Sequence, residues 1–311
     1  MQVAVTGAAG RLGQVLLPAL RREPAIQRIR ALDRIPPGRS DCDRRVAVET
    51  QVLELEQLRP ADLEGVDTLV HLAFQLMGGH GGRRRHDRNW VRRQNVALSE
   101  QVFRTARAAG VGHLIFVSSA AVYGPWPDSP QPLTEDHPAR PRFPYAEDKV
   151  AVEQALQTLA DESPGCRTTI LRPPAILGPH AHPLLLQIAR GRLYPQGSRV
   201  PVQILWEDDA AAAVVRAVVT ASDGIFNLGT EPAWSLQAMA CHRRRWAVPV
   251  PIRALRTLHP LAWRLSAHAG DPGWIRGLDG PLVLDCSRAR TQLAWVPQVS
   301  TPECLQRLRH P

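Results

Sequence analysis

The sequence of 311 residues predicts an α/β protein, a parallel sheet with crossover helices, on three observations. Short β-branched runs alternate with amphipathic stretches through the first half. A glycine-rich turn joins the first such run to the first amphipathic stretch. An aspartate, Asp33, ends the second run 20 residues beyond the last of those glycines.

Taken in order, strands are expected at residues 3–5, 28–32, 68–72, 114–117 and 168–171, where Val, Ile, Leu and Thr cluster. Helices are expected at 12–22, 89–109 and 146–160, whose apolar residues recur at helical spacing. Gly110 stands where a helix ending at Ala109 needs a C-terminal glycine. Residues 125–144 hold seven prolines and almost no apolar periodicity, so an extended loop is expected there, of a length that is usually functional or disordered. Past Arg172 the alternation weakens. A helix at 209–221 could be capped by Asp208 or Asp209, and a strand at 224–227 follows it. The Trp- and Arg-rich stretch 231–311 gives no firm element until Ser300-Thr301-Pro302-Glu303, a capping box that opens a final helix.

Composition narrows the function classes. With 44% hydrophobic and 22% charged residues the chain can bury a sizeable core. No apolar run approaches the 18 or so residues of a membrane span, and the N-terminal residues carry no basic leader, so a cytoplasmic protein without membrane contact is expected. The five cysteines (42, 166, 241, 286, 304) form no Cys-x-x-Cys pair and have no histidine at ligand spacing, which predicts free thiols and no metal. The net charge of +9 raises nucleic acid as a partner. All but one of the 38 basic residues are arginine, however, a bias that looks like GC-rich coding. The clusters Arg83–Arg85 with Arg88, Arg92 and Arg93, and Arg243–Arg245, therefore read as solvated faces, and no nucleic-acid partner is expected.

Three motifs carry chemistry. Thr6-Gly7-Ala8-Ala9-Gly10-Arg11-Leu12-Gly13 follows the first strand and opens the first helix, where glycines let a backbone approach a diphosphate at the helix N-terminus. Asp33 stands where a carboxylate holds the adenosine ribose hydroxyls, with Arg34 beside it leaving room for a ribose phosphate. Tyr145 and Lys149, the single lysine, lie at i and i+4 on one helix face. A neighbouring ammonium favours the phenolate, so the tyrosine pKa should fall and the residue serve as acid/base, while the lysine can also bond a ribose diol. Ser119 ends the strand Phe116-Val117-Ser118, at the edge of the sheet where ligands bind in open α/β folds. No G-x-S-x-G elbow surrounds it, which excludes a serine hydrolase of that type.

Together these residues resemble the extended short-chain dehydrogenase/reductase family, the NAD-dependent epimerases and dehydratases. The resemblance runs from Val3 to about Leu308 and rests on TGAAGRLG at 6–13, Asp33, Val70-His71-Leu72-Ala73, Asn95, the run from Val117 to Gly124, and Tyr145-x-x-x-Lys149. It continues through Leu171-Arg172-Pro173, Gly178-Pro179, Asp208-Asp209-Ala210, Phe226-Asn227-Leu228-Gly229 and the stretch from Leu284-Asp285 to Trp295-x-Pro297. It implies a Rossmann-type doubly wound parallel sheet over 1–174, with the chain returning at about 202–230, and a smaller C-terminal substrate lobe mainly over 175–311. It implies catalytic Ser119, Tyr145 and Lys149, and cofactor contacts from Gly7, Gly10, Arg11, Leu12, Gly13, Asp33, Leu72, Ala73, Asn95, Tyr145, Lys149 and Pro174. NAD is the implied cofactor, NADP less so, because Asp33 repels a 2′-phosphate. A homodimer through the helices at 89–109 and 146–160 is also implied.

The sequence departs from the family where nucleotide-sugar enzymes grip a diphosphate. Ala175 stands in place of an asparagine and Val202 in place of an arginine. Glu49 and Glu54 are imperfect stand-ins for the adenine-contacting aspartate. The expected activity is therefore NAD-dependent hydride transfer at a hydroxyl or carbonyl carbon of a small molecule. The alternatives are a nucleotide-sugar 4-epimerase or 4,6-dehydratase, and a non-catalytic NAD(P)-sensing regulator.

Overall fold

The structure is a computed structural model and describes residues 1–38, 46–77, 87–183, 185–186, 193–196, 199–243, 247–265 and 271–308. The chain runs through β1 (Gln2–Thr6), α1 (Arg11–Arg22), β2 (Arg28–Asp33), β3 (Ala47–Val52), β4 (Thr68–His71), α2 (Arg88–Arg92), α3 (Leu98–Ala108), β5 (His113–Val117), α4 (Pro144–Glu162) and β6 (Arg167–Arg172). Short strands β7 (Ala175–Leu177), β8 (Leu193–Pro195), β9 (Pro201–Val202) and β10 (Ile204–Trp206) lead to α5 (Glu207–Thr220) and β11 (Gly224–Asn227). Beyond it come β12 (Trp234–Ser235), α6 (Leu236–Arg243), β13 (Val248–Val250), α7 (Ile252–Leu265), α8 (Ser287–Gln292) and α9 (Thr301–Arg307).

Seven strands form one parallel sheet in the order β11-β6-β5-β4-β1-β2-β3. Both faces are covered, and the two-residue period of each strand sorts its side chains between them. Val5, Ile115 and Leu171 join Leu16 and Leu20 of α1 and Val214 and Val218 of α5 in one buried cluster. Ala4, Leu114, Phe116 and Ile170 join Val102 and Phe103 of α3 and Leu156 of α4 in the other. Each of the Val, Leu, Ile and Phe side chains contributes about 1.5–3 kcal/mol when fully buried. The doubly wound sheet is the one expected.

Several local expectations need correction. The helix expected at 89–109 is three pieces: α2, a π-helical stretch Arg93–Ala97, and α3. Strand β3 was not expected, because Ala47, Glu49, Thr50 and Val52 are exposed at the sheet edge and give no apolar alternation. Neither aspartate caps α5, whose N-cap is Trp206 with no side-chain cap. Other partners win both, a near one for Asp208 and distant ones for Asp209. Asp208 accepts from Trp206 Nε1 at 2.8 Å, and the buried Asp209 accepts the backbone N–H groups of Gln298 (2.9 Å) and Val299 (3.0 Å). The capping box at Ser300 and Glu303 forms as expected.

The proline-rich stretch is ordered by distant partners rather than by its own sequence. Leu133 exchanges backbone hydrogen bonds with Val283 and Asp285, and its carbonyl also accepts from Asn227 Nδ2 at 3.0 Å. The Asn227 N–H donates to Glu135 Oε1 at 2.8 Å. Beneath it lies a buried pair. Arg172 donates to Glu153 through Nη2 at 2.6 Å and Nε at 3.1 Å, and through Nη1 to the Tyr123 hydroxyl at 2.8 Å. The two charged side chains are only 5% and 4% exposed.

Among the described residues no helix is long and apolar enough to cross a membrane, and no group of side chains could hold a metal ion. Cys166, Cys241, Cys286 and Cys304 are free thiols. Cys42, Arg83–Arg85, Arg244 and Arg245 lie outside the described residues.

Candidate active site

The glycine turn lies between β1 and α1, and its glycines do different work. Gly7 has φ +71°, and a Cβ there would fall 2.5 Å from the Ala73 nitrogen and 2.9 Å from the Leu72 carbonyl carbon. Only glycine lets that close approach and that left-handed backbone coexist. A Cβ on Gly13 would lie 2.3 Å from the Ala8 carbonyl oxygen, so this glycine lets the helix start tuck against the turn. Gly10 is the N-cap of α1, with no side-chain cap and no acidic residue in the first turn. The next residue, Arg11, adds a cation whose pKa burial lowers, and its Nη1 donates to the Ala181 carbonyl at 2.8 Å. An uncapped helix N-terminus joined by a guanidinium favours an anion. Leu12 and Leu72 pack against the adjoining core cluster.

Asp33 braces this turn. Its Oδ2 accepts the Ala9 N–H at 2.9 Å and its Oδ1 the Arg34 N–H at 2.7 Å. Pro174 is buried after β6, next to Pro173, whose carbonyl accepts the Ala120 N–H at 2.8 Å.

Ser119, Tyr145 and Lys149 come together at the carboxyl ends of β5 and β6. Ser119 caps the short 3-10 turn Ala120–Tyr123, accepting the Ala121 N–H at 3.2 Å, and its hydroxyl is near enough to the Tyr145 phenol to lower the pKa of that phenol. Pro144, at the first turn of α4, starts the helix that carries Tyr145 and Lys149 one turn apart. Lys149 is 4% exposed and donates to the Val117 carbonyl at 2.8 Å, with its Nζ 5.8 Å from the Tyr145 ring centroid. The expected fall in the tyrosine pKa is reversed here. Burial pushes the phenol up to about 12, and the Ser119 hydroxyl offsets only part of that. Burial likewise pulls Lys149 down to about 7 against the opposing pull of Glu153 and Asp148. Desolvation outweighs the mutual attraction that the i,i+4 spacing suggests.

Asn95 is fully engaged in holding other parts of the site. Its Oδ1 accepts the Gln75 N–H (2.7 Å), and its Nδ2 donates to the Gln75 carbonyl (3.0 Å) and to Asp148 Oδ2 (3.0 Å). Asp148, buried and next to Lys149, also takes both terminal nitrogens of Arg88 (2.6 and 2.7 Å) and Nη1 of Arg92 (3.0 Å). Arg88 and Arg92 thus serve an internal carboxylate, not the solvated face expected of them. Asp148 was missed in the sequence because Arg88 lies 60 residues away, with no local signal to join them.

An aromatic wall around Tyr145 was missed as well. Phe74 (5.5 Å, edge-on), Phe143 (6.2 Å, stacked) and Trp274 (6.4 Å, edge-on) surround the phenol ring. Phe74 was legible only as the residue after Ala73, and Trp274 comes from the stretch where no element was assigned.

Residues 3–229 match the sequence profile of a family described as NAD dependent epimerase/dehydratase. A UDP-glucose 4-epimerase from Corynebacterium glutamicum is 28% identical over 96% of this chain and 91% of its own length. An uncharacterised protein of Mycobacterium tuberculosis is 29% identical over 97% of the chain and 81% of its own length. Two solved structures share the fold. One is MoeE5 in complex with UDP-glucuronic acid and NAD (TM-score 0.74, 23% identity, 98% of this chain and 97% of that one). The other is a dTDP-glucose 4,6-dehydratase from Streptomyces venezuelae with NAD bound (TM-score 0.73, 22% identity, 99% and 96%).

Proposed function

Since the chain belongs to the NAD dependent epimerase/dehydratase family, we propose that it is an NAD-dependent oxidoreductase acting at a hydroxyl or carbonyl carbon of a small molecule, with Tyr145 as acid/base. The observation that carries the proposal is the Tyr145 phenol, one helical turn from a buried lysine on α4 and with the Ser119 hydroxyl acting on it. The residues fit a dinucleotide. Gly7 and Gly13 leave backbone where a Cβ could not stand, the N-terminus of α1 is uncapped, and Lys149 is a buried ammonium with one hydrogen-bond acceptor among the described residues. In this reading 1–174, with the return at about 202–230, binds the cofactor, and 175–311 mainly forms the substrate lobe.

A bound nicotinamide supplies the hydride acceptor or donor. The chain's own groups handle the proton and the positioning. Ser119 holds the substrate oxygen, and Tyr145 moves the proton at that oxygen. It gives the proton up when a carbonyl is reduced and takes it when an alcohol is oxidised. A phenol pushed up to about 12 by burial keeps its proton at neutral pH, so the oxidising direction depends on the Lys149 ammonium to stabilise the phenolate. Lys149 would hold the ribose diol, Asp33 the adenosine ribose, and the start of α1 with Arg11 the diphosphate. Leu72, Ala73 and Pro174 line the cleft, while Asn95 acts through Gln75.

The test is calorimetry with NAD, followed by assay of Tyr145→Phe, which should retain NAD binding and lose turnover by about 10²–10⁴. Wild-type failure to bind NAD would end this reading. A second reading, a nucleotide-sugar 4-epimerase or dehydratase, is favoured by the Corynebacterium glutamicum relative. Against it stand Ala175 and Val202, which offer no donor to a diphosphate. UDP-glucose should accordingly bind no tighter than about millimolar, and micromolar binding would select the second reading. The intact Ser119, Tyr145 and Lys149 speak against a non-catalytic regulator. We also infer a cytoplasmic homodimer through α3 and α4, which sedimentation can check.

A further inference from the structure

Among the described residues Lys149 is a buried amine with one oxygen partner. An ammonium has three N–H donors. Among the described residues Lys149 satisfies one of them on an oxygen, the Val117 carbonyl at 2.8 Å. Asp148 and Glu153 act on it as charges, and aromatic rings lie directly against it. The Phe74 ring lies 3.7 Å from Nζ and the Phe116 ring 4.5 Å. Phe116 belongs to the buried core of β5 and has no freedom to leave. Phe74 differs. It is only partly buried, sits in the non-helical stretch after β4, and reaches over Lys149 and edge-on to Tyr145 at once.

The backbone beside Phe74 is pinned. Asn95 brackets the next residue, Gln75, through both its N–H and its carbonyl, and Asp148 holds Asn95 in turn. The main chain is thus fixed and the Phe74 side chain is the part that can swing.

We propose that Phe74 sets the affinity of this site for its dinucleotide, its ring occupying the Lys149 ammonium until a ribose diol displaces it. The proposal rests on the reading of the chain as a dinucleotide enzyme. A diol gives the ammonium two oxygen acceptors in place of one π face. The ring must first leave, so the observed affinity is the intrinsic one reduced by the fraction of open sites. A desolvated cation–π contact corresponds to a closed-to-open ratio on the order of tenfold.

The chain offers an unusual probe, because Lys149 is its single lysine. Amine acylation followed by peptide mass spectrometry therefore reports this one side chain, apart from the N-terminal amine. The experiment compares wild type, Phe74→Ala and Phe74→Leu. The leucine variant removes the π face while keeping apolar volume, and matched thermal unfolding verifies that each is folded. Without nucleotide, Lys149 should be acylated several-fold faster in Phe74→Ala. By calorimetry, Phe74→Ala should bind NAD about tenfold more tightly than wild type, with Phe74→Leu between them. Equal acylation rates, or unchanged or weaker NAD binding in a folded Phe74→Ala, would overturn the proposal. If none of the three proteins bound NAD while acylation still quickened, the cofactor reading would fall and with it the role of Phe74 in affinity. The ring's cover over Lys149 would stand.

Discussion

Replacing Glu153 by glutamine should strike stability and the site together. The carboxylate is 4% exposed and receives Nη2 and Nε of Arg172, itself 5% exposed. Glutamine keeps the volume and one oxygen acceptor but leaves the guanidinium without its counter-charge. The remaining acceptors of Arg172, the Tyr123 hydroxyl (2.8 Å) and the Glu135 carbonyl (3.4 Å), are neutral. Breaking one side of a buried pair costs about 3–5 kcal/mol. At roughly 1.5 °C per kcal/mol for a chain of this size, Tm should drop by about 5–8 °C. Glu153 also lies one helical turn beyond Lys149, whose pKa its charge raises. The same substitution should then move the lysine below its present value of about 7, read as faster acylation of Lys149 near neutral pH. Differential scanning fluorimetry and the acylation assay measure the two halves. A Tm within about 2 °C of wild type would refute the claim that this pair is held in low dielectric. Replacing both partners by methionine should recover part of the loss, because two buried charges then go together.

Other expectations are simpler to state. Gly13→Val should unfold or strongly destabilise the protein, since even a Cβ would lie 2.3 Å from the Ala8 oxygen, and circular dichroism will show it. NAD should bind at least about tenfold more tightly than NADP through Asp33, by calorimetry, and equal affinities would mean that Arg34 dominates. Stability should fall on mild acidification, because burial holds His71 down to about 3 and His113 to about 4, against 6.5 in the unfolded chain. Below about pH 6.5 the unfolded chain takes up protons the folded one refuses, so each histidine removes up to about 1.4 kcal/mol per pH unit as pH falls toward its folded value. Denaturation at pH 7.5 and 5 measures this, and a flat profile would contradict it.

The legible parts of this fold were those whose cause is local. The glycine turn, the Tyr145–Lys149 spacing and the Ser300 capping box each fit within a dozen residues, and each appears where expected. What was illegible depends on partners far apart in the chain. Asp209 looks like a cap for α5 until the N–H groups of Gln298 and Val299, about 90 residues on, claim its carboxylate. Asp148 carries no local signal, and its role comes only from Arg88, Arg92 and Asn95 converging on it. The tyrosine pKa was misjudged for a related reason. Spacing reveals a neighbouring charge, but not the aromatic wall that removes water from both groups.

The hold of Asp209 on residues 298 and 299 also bears on the order in which the protein can mature on the ribosome. Trp295 donates its indole N–H to the Asp209 carbonyl at 3.0 Å, so three donors from one late segment close over the start of α5. All seven strands of the main sheet have been synthesised by Asn227, yet this helix keeps a carboxylate without partners until some 70 further residues have emerged. At about 5–20 residues per second that interval is several seconds, long compared with the folding of most elementary units. The nascent sheet must therefore persist with its α5 face incompletely sealed, a window in which a chaperone or a proteolytic quality-control system meets a nearly native particle.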